Sequence, residues 1–171
     1  MGWTSTYVGY GRDRKDLLKN EIYGKYQDCL EYVEVKGSNI WVIGHNKDGE
    51  KYGELYLTSY KDGEFAWKDI GISAHPFYYN CSKKFYEMAK EIYSDKDYQY
   101  AKEWLEKWEE VNNKEKARKE LIKSLKVGDT IEFITANYGN QKQWRVSSIT
   151  PKILFEGYNL QGWKTKEFKI V

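Results

Sequence analysis

Apolar and polar positions divide this chain into a strand-rich first half, a helical middle and a shorter strand-rich end. Residues 3–10, Trp-Thr-Ser-Thr-Tyr-Val-Gly-Tyr, are rich in β-branched and aromatic types and predict a first strand. Gly9 and Gly11 break it. Asp13 stands as an N-cap before Leu17, Leu18, Ile22 and Tyr23, whose spacing puts one apolar stripe on a helix, and Gly24 is the expected stop. Three strands follow. Residues 30–35 alternate, with Leu30, Tyr32 and Glu34 on one face and Glu31, Val33 and Val35 on the other. Residues 40–43 (Ile-Trp-Val-Ile) form a continuous apolar run, and residues 54–60 (Glu-Leu-Tyr-Leu-Thr-Ser-Tyr) alternate again. Gly37-Ser38, Asp48-Gly49 and Asp62-Gly63 mark the turns. The pattern predicts an antiparallel meander covered by the helix at 14–23.

Residues 65–81 follow no clean period, and Pro76 biases His75 away from helix, so the stretch reads as a structured loop. Ser82 caps a helix carrying Phe85, Met88, Ala89 and Ile92. Ser94 and Asp97 read as a capping box opening a longer helix with the stripe Ala101, Trp104, Leu105, Trp108 and Val111. The stripe lapses over 112–120 and resumes at Leu121, Ile122 and Leu125. From Asp129 onward, short strands at roughly ten-residue spacing (starting at 130, then 142–149, 152–158 and 164–170) predict a small SH3-like or OB-like β barrel. The expected fold class is α+β: an N-terminal antiparallel sheet covered by helices (1–93), a helical connector packing on it (94–125) and the small β-barrel module (126–171). About 45 residues bury too little to stand alone, so the barrel is expected to pack on the long helix.

Composition narrows the chemistry. Aromatic residues make up 17% of the 171, including 16 Tyr and 7 Trp, a surplus that serves either a core rim or a binding face. The net charge of +2 gives no bulk argument for DNA. The surplus is local. Residues 114–126 carry Lys114, Lys116, Arg118, Lys119, Lys123 and Lys126 against Glu115 and Glu120, while residues 1–81 carry 10 basic and 12 acidic groups. With Arg145, Trp144, Tyr158 and Trp163 close behind, Lys114, Lys116, Arg118, Lys119, Arg145, Trp144 and Trp163 are the candidates for holding a phosphate backbone and stacking bases. The competing reading is a solvated helix face with pairs such as Glu115–Lys119. No apolar run is long enough to cross a membrane, the N-terminus lacks a signal pattern, and two cysteines argue against a disulfide framework, so the expected compartment is the cytoplasm.

Cys29, His45, His75 and Cys81 lack the close pairing of a zinc site, and Cys29 reads as a small buried hydrophobe. No metal and no cofactor is expected. A nucleophile could use Cys81 with His75, or Ser73 with His75; Cys81 stands just before a helix cap, which is open to a lowered thiol pKa, against the reading of Cys81 as a structural loop anchor. The loop holding His75, Tyr78 and Cys81 is therefore either structural or the site of a small enzyme. Gly9-Tyr10-Gly11 lacks the rest of a phosphate-binding loop.

Several segments together resemble one family of phage, prophage and plasmid proteins without an assigned activity. They are Met1-Gly2-Trp3-Thr4-Ser5-Thr6, Phe65-Ala66-Trp67-Lys68-Asp69, Pro76-Phe77-Tyr78-Tyr79-Asn80-Cys81, the helix around Trp104 and the barrel start at Leu125 to Asp129. Gly71-Ile72-Ser73 and His75 depart from the family pattern, which sets aside any polar site built from acids there. The resemblance implies a mobile-element origin. The expected function is a non-catalytic binding protein acting on a host protein or nucleoprotein complex in a bacterial cytoplasm, as an inhibitor of a defence system in the manner of anti-CRISPR proteins. Trp3, Trp67, Tyr78 and Tyr79 are its protein-binding candidates. The alternative is a nucleic-acid-binding accessory protein using the basic C-terminal surface.

Overall fold

The structure, a computed structural model, describes residues 4–7, 16, 18–61, 64–74 and 78–171, without the side chains of 4–7, 21, 59–61 and 64. The Trp3, His75, Asp13, Leu17 and Asp62-Gly63 readings lie outside these residues. The chain is mixed α+β, with two antiparallel sheets and three α-helices among the described residues. It groups into two compact units, Met1–Val111 and Asn112–Val171.

In the first unit, β1 (Thr4–Tyr7), β2 (Cys29–Lys36), β3 (Asn39–His45), β4 (Lys51–Lys61) and β5 (Glu64–Asp69) form one sheet in the order β1-β5-β4-β3-β2. The interior strand β3, between β4 and β2, is buried on both faces, which is why its sequence is an unbroken apolar run. Ile40 and Val42 face one side, with Leu18, Ile22 and Tyr23 of a π-helical segment, Leu18–Tyr23, packed over them. Trp41 and Ile43 face the other, under Phe85, Tyr86, Ala89 and Tyr93 of helix α2 (Lys83–Tyr93) and Ala101, Trp104, Leu105 and Trp108 of helix α3 (Gln99–Ser124).

Four expectations of the first unit change. Helical structure runs through Gly24 into the short α1 (Gly24–Tyr26), and the left-handed terminating residue is Gln27 at φ 61°. Gly24 does not end it. The register of β2 on β3 shifts between Leu30 and Tyr32, so alternation flips there. Leu30 joins Val33 on the π-helical side while Tyr32 packs on the α2 side. The 65–81 stretch opens with a strand, β5, whose end is turned by the Asp69 carboxylate accepting from the amides of Gly71 (2.6 Å) and Ile72 (3.0 Å). Ser94 closes α2, its amide donating to the Lys90 carbonyl, and α3 starts at Gln99; the Ser94–Asp97 box does not form. Ser82 does cap α2, its hydroxyl accepting from the Phe85 amide at 3.2 Å.

In the second unit the strands β6 (Thr130–Phe133), β7 (Gln143–Ser148), β8 (Leu154–Phe155) and β9 (Phe168–Ile170) form a sheet in the order β8-β7-β6-β9. No pairing joins β8 to β9 among the described residues, so the barrel is not closed by its ladder. A 3₁₀ turn, Trp163–Thr165, precedes β9. Ile131, Phe133, Val146, Phe155, Leu160, Trp163 and Phe168 make the core, and Leu121, Ile122 and Leu125 at the end of α3 pack against it. The division at Val111 falls inside α3, where the apolar stripe lapses.

Candidate functional site

The second unit carries its own charge surplus. Residues 112–171 hold 12 basic and 6 acidic side chains, a net of +6, which leaves −4 on residues 1–111. Some of the cations are engaged. Arg118 donates to the Thr165 carbonyl (3.3 Å) and pairs with Glu115, so it braces the end of α3 on the 3₁₀ turn. Lys119 also pairs with Glu115 (3.4 Å), Lys123 with Glu120 (2.8 Å) and Lys169 with Glu132 (3.5 Å). Lys114 and Lys116 are exposed on α3. Lys126, Arg145, Lys152, Lys164 and Lys166 form no ion pair among the described residues, and all five are exposed.

The aromatic candidates separate. Trp163 is buried (3% exposed), with its ring edge-on to Phe155 at 4.8 Å and tilted on Phe168 at 5.7 Å. Its place as a base-stacking residue is corrected: the ring is core and has no open face. Trp144 is half-buried on β7 and Tyr158 is 65% exposed, with their rings perpendicular at 6.3 Å. Two tight turns bring them to one end of the sheet. The first is Tyr138–Gln141, with Gly139 at φ 68°. The second is Phe155–Tyr158, where Glu156 (φ 50°) and Gly157 (φ 88°) both take the left-handed conformation a tight hairpin needs. The Trp144 indole N–H donates to the Gln141 carbonyl (3.4 Å), the Tyr138 hydroxyl to the Gln161 carbonyl (2.9 Å), and the Gln141 amide lies 3.4 Å from the Glu156 carboxylate. This end therefore presents rings set in a rim of exposed amides. Tyr138 and Gln141 escape sequence reading because their role comes from turn geometry, which spacing does not encode.

In the first unit the protein-binding candidates do not form one patch. Trp67 is half-buried on the π-helical face, stacked on Tyr56 at 6.3 Å. Tyr78, 40% exposed, and Tyr79, half-buried against the other core, lie on the α3 side, where the Trp104 indole donates to the Tyr78 carbonyl (3.2 Å). Tyr79 has its hydroxyl pKa pushed up by burial.

The Cys29 reading is corrected, and of the two readings of Cys81 burial favours the structural one. Cys29 is exposed, at the start of β2. Cys81 is buried in the α2–α3 core, and burial pushes its thiol pKa up, with Glu34 adding to the effect. A neutral buried thiol is the opposite of an activated nucleophile. Among the described residues no group of three His, Cys, Asp or Glu is arranged to hold a metal ion, and no helix is long and apolar enough to cross a membrane.

A buried carboxylate with a strongly raised pKa stands out only in the structure. Glu54 points to the π-helical side of β4, where its carboxylate accepts from the hydroxyls of Tyr23 (2.8 Å) and Tyr56 (2.9 Å). Burial pushes its pKa up to about 7 against that support, with Asp69 and Asp28 adding repulsion. Tyr52 stacks on Tyr23 and donates to Asp28. Gly44 permits the cluster, since a Cβ there would stand 2.6 Å from the Tyr23 ring. The signal was legible: Glu54 shares the phase of Tyr56 in an alternating strand. A shallow groove of about 300 Å³, lined by Glu31, Glu50, Lys51, Glu91 and Lys96 with Ile43, Met88 and Ile92, lies beside α2.

No protein-family model, curated protein or solved structure matches the chain.

Proposed function

We propose that this is a non-catalytic binding protein of a phage or other mobile element. It acts in a bacterial cytoplasm by contact with a host protein or nucleoprotein complex, and blocks a defence system in the manner of an anti-CRISPR or other anti-defence inhibitor. The observation that carries the reading is the ring pair Trp144–Tyr158 held at one end of the second unit with Tyr158 65% exposed. Rings with a polar tip, fixed by two turns, give large contact area at low entropic cost, which is what interface centres use. The strand order and the 3₁₀ turn before β9 fit an SH3-like or OB-like barrel, whose loops commonly carry binding sites. The resemblance to mobile-element proteins supplies the setting. The test is affinity purification of the tagged protein from host cells with and without nuclease treatment. A defined host protein that stays bound after nuclease is expected, and its release by Tyr158→Ala. Recovery of no protein above an untagged control contradicts the reading.

A second reading, a nucleic-acid-binding accessory protein, draws on a separate observation: the net charge of +6 on residues 112–171, with exposed cations such as Lys126, Arg145, Lys152, Lys164 and Lys166 in no ion pair among the described residues. Partners lost on nuclease treatment would favour it.

A further inference from the structure

We propose that the loop end of the C-terminal unit binds single-stranded nucleic acid, stacking bases on Tyr158 and Trp144 and holding the backbone with Lys142 and Arg145. This rests on the second reading above and goes beyond it by naming the site and the strandedness.

Ring geometry is the first argument. Trp144 and Tyr158 meet edge to face at 79°, and Trp144 also packs on the core, so Tyr158, 65% exposed, is the ring with open surface. Tyr158 offers open ring surface to solvent while its backbone is pinned: the Phe155 amide donates to its carbonyl at 2.9 Å, and its own amide donates to the Phe155 carbonyl at 2.7 Å. A ring on a fixed mount at a surface can stack a base, and the bases of a duplex are already stacked on one another, so only an unpaired strand can use it.

Charge is the second. Lys142 and Arg145 are both exposed; Lys142 just precedes β7, and Arg145 projects from the outer face of β7, opposite Trp144, with its guanidinium near Gly128. They belong to a unit with twice as many basic as acidic side chains, which complements a phosphodiester chain. Two acids lie near: Glu156 is drawn toward the Gln141 amide, and Glu132 accepts from the Gln143 amide and interacts with Lys142, so a phosphate is excluded from the Glu156 side and competes with Glu132 for Lys142. Exposed amides of Asn140, Gln141 and Asn159 stand nearby in sequence with donors and acceptors suited to base edges. A nucleic acid, free or within the host nucleoprotein complex proposed above, meets the cations and the ring together, whereas an acidic polypeptide satisfies only the cations.

The test is fluorescence anisotropy of the full chain with labelled oligo-dT and oligo-U of about 20 nucleotides, a duplex of equal length, and a poly-glutamate peptide, at about 50 and about 200 mM salt. The expected result is tighter binding of one or both single strands than of duplex, weakened steeply by salt. Tyr158→Ala should weaken it by about tenfold. Arg145→Ala should lower the salt slope by about one. The thermal transition of each variant, read by circular dichroism, checks that it is folded. Equal binding of duplex and single strand with no effect of Tyr158→Ala overturns the site and leaves the broader nucleic-acid reading standing. Absence of binding to any oligonucleotide overturns both. Tighter binding of the peptide than of any oligonucleotide assigns the surface to a protein partner and overturns the proposal.

Discussion

In the first unit Trp41 and Trp104 are wholly buried, with their rings 5.7 Å apart and Phe85 against both, and Trp108 lies stacked on Tyr86 at 4.0 Å. In the second unit Trp163 plays the same part, while Trp144 and Tyr158 are left at an end where solvent reaches them. The first unit carries a net −4 and the second +6. The same residue types thus do two jobs. The first unit uses Trp41, Trp104 and Trp108 as bulk between sheet and helices, while Tyr26 (61%) and Tyr78 (40%) stay exposed outside that core. A unit of 60 residues has less interior to fill, and rings that lie outside its core stay available for contact. Aromatic content alone does not separate rings that fill a core from rings that solvent reaches.

The comparison breaks most visibly at Trp104. Trp104→Ala should remove about 3–5 kcal/mol from the first unit, because the cavity it leaves is walled by Trp41 and Phe85, which are themselves fixed. Urea unfolding followed by far-UV circular dichroism reads the loss, and a midpoint unchanged from the parent would show that the α2–α3 core is not the seat of its stability.

Glu54 sharpens the comparison within the sealed unit. Burial lifts its folded pKa from the ordinary 4.5 to about 7, so the folded state holds the proton more tightly than the unfolded chain. Its contribution is therefore fully present below about pH 4.5 and declines as pH rises toward 7, where it levels off. Glu54→Gln keeps an acceptor for Tyr23 and Tyr56 and removes the charge. It should raise stability by about 2–3 kcal/mol near pH 8 and flatten the slope between about pH 5 and 7. Thermal melts across that range check it, and an unchanged slope would show that Glu54 ionises freely in the folded state.

The smallest effect on stability belongs to Tyr158. Tyr158→Ala removes an exposed ring and should shift unfolding by no more than about 0.5 kcal/mol. A larger loss would mean that the ring is part of the core after all.

How much of this was legible beforehand varied by residue. The apolar run at 40–43 marks an interior strand because burial on both faces leaves no room for alternation, and Ser82 marks the start of α2 because an orphan amide needs an acceptor. Leu30 and Tyr32 were assigned to one face because a one-residue bulge leaves no mark in composition. β5 was missed because residues 65–69 run directly into an irregular stretch, and Lys68 in its middle looks like a surface residue. Its ammonium is in fact buried and donates to the Ala74 carbonyl at 2.9 Å, with burial lowering its pKa. Trp163 and Trp144 look alike in the sequence. Only the 3₁₀ turn, which rotates Trp163 into the core, tells them apart.

The most direct test of the account is a two-dimensional NMR spectrum of the tryptophan indole N–H signals, recorded as single-stranded oligonucleotide is added. The chain has 7 such signals. The account predicts that the Trp144 resonance, assigned through Trp144→Phe, shifts progressively while those of Trp41, Trp104 and Trp163 hold still. A Trp144 signal that stays in place at saturating oligonucleotide would contradict it.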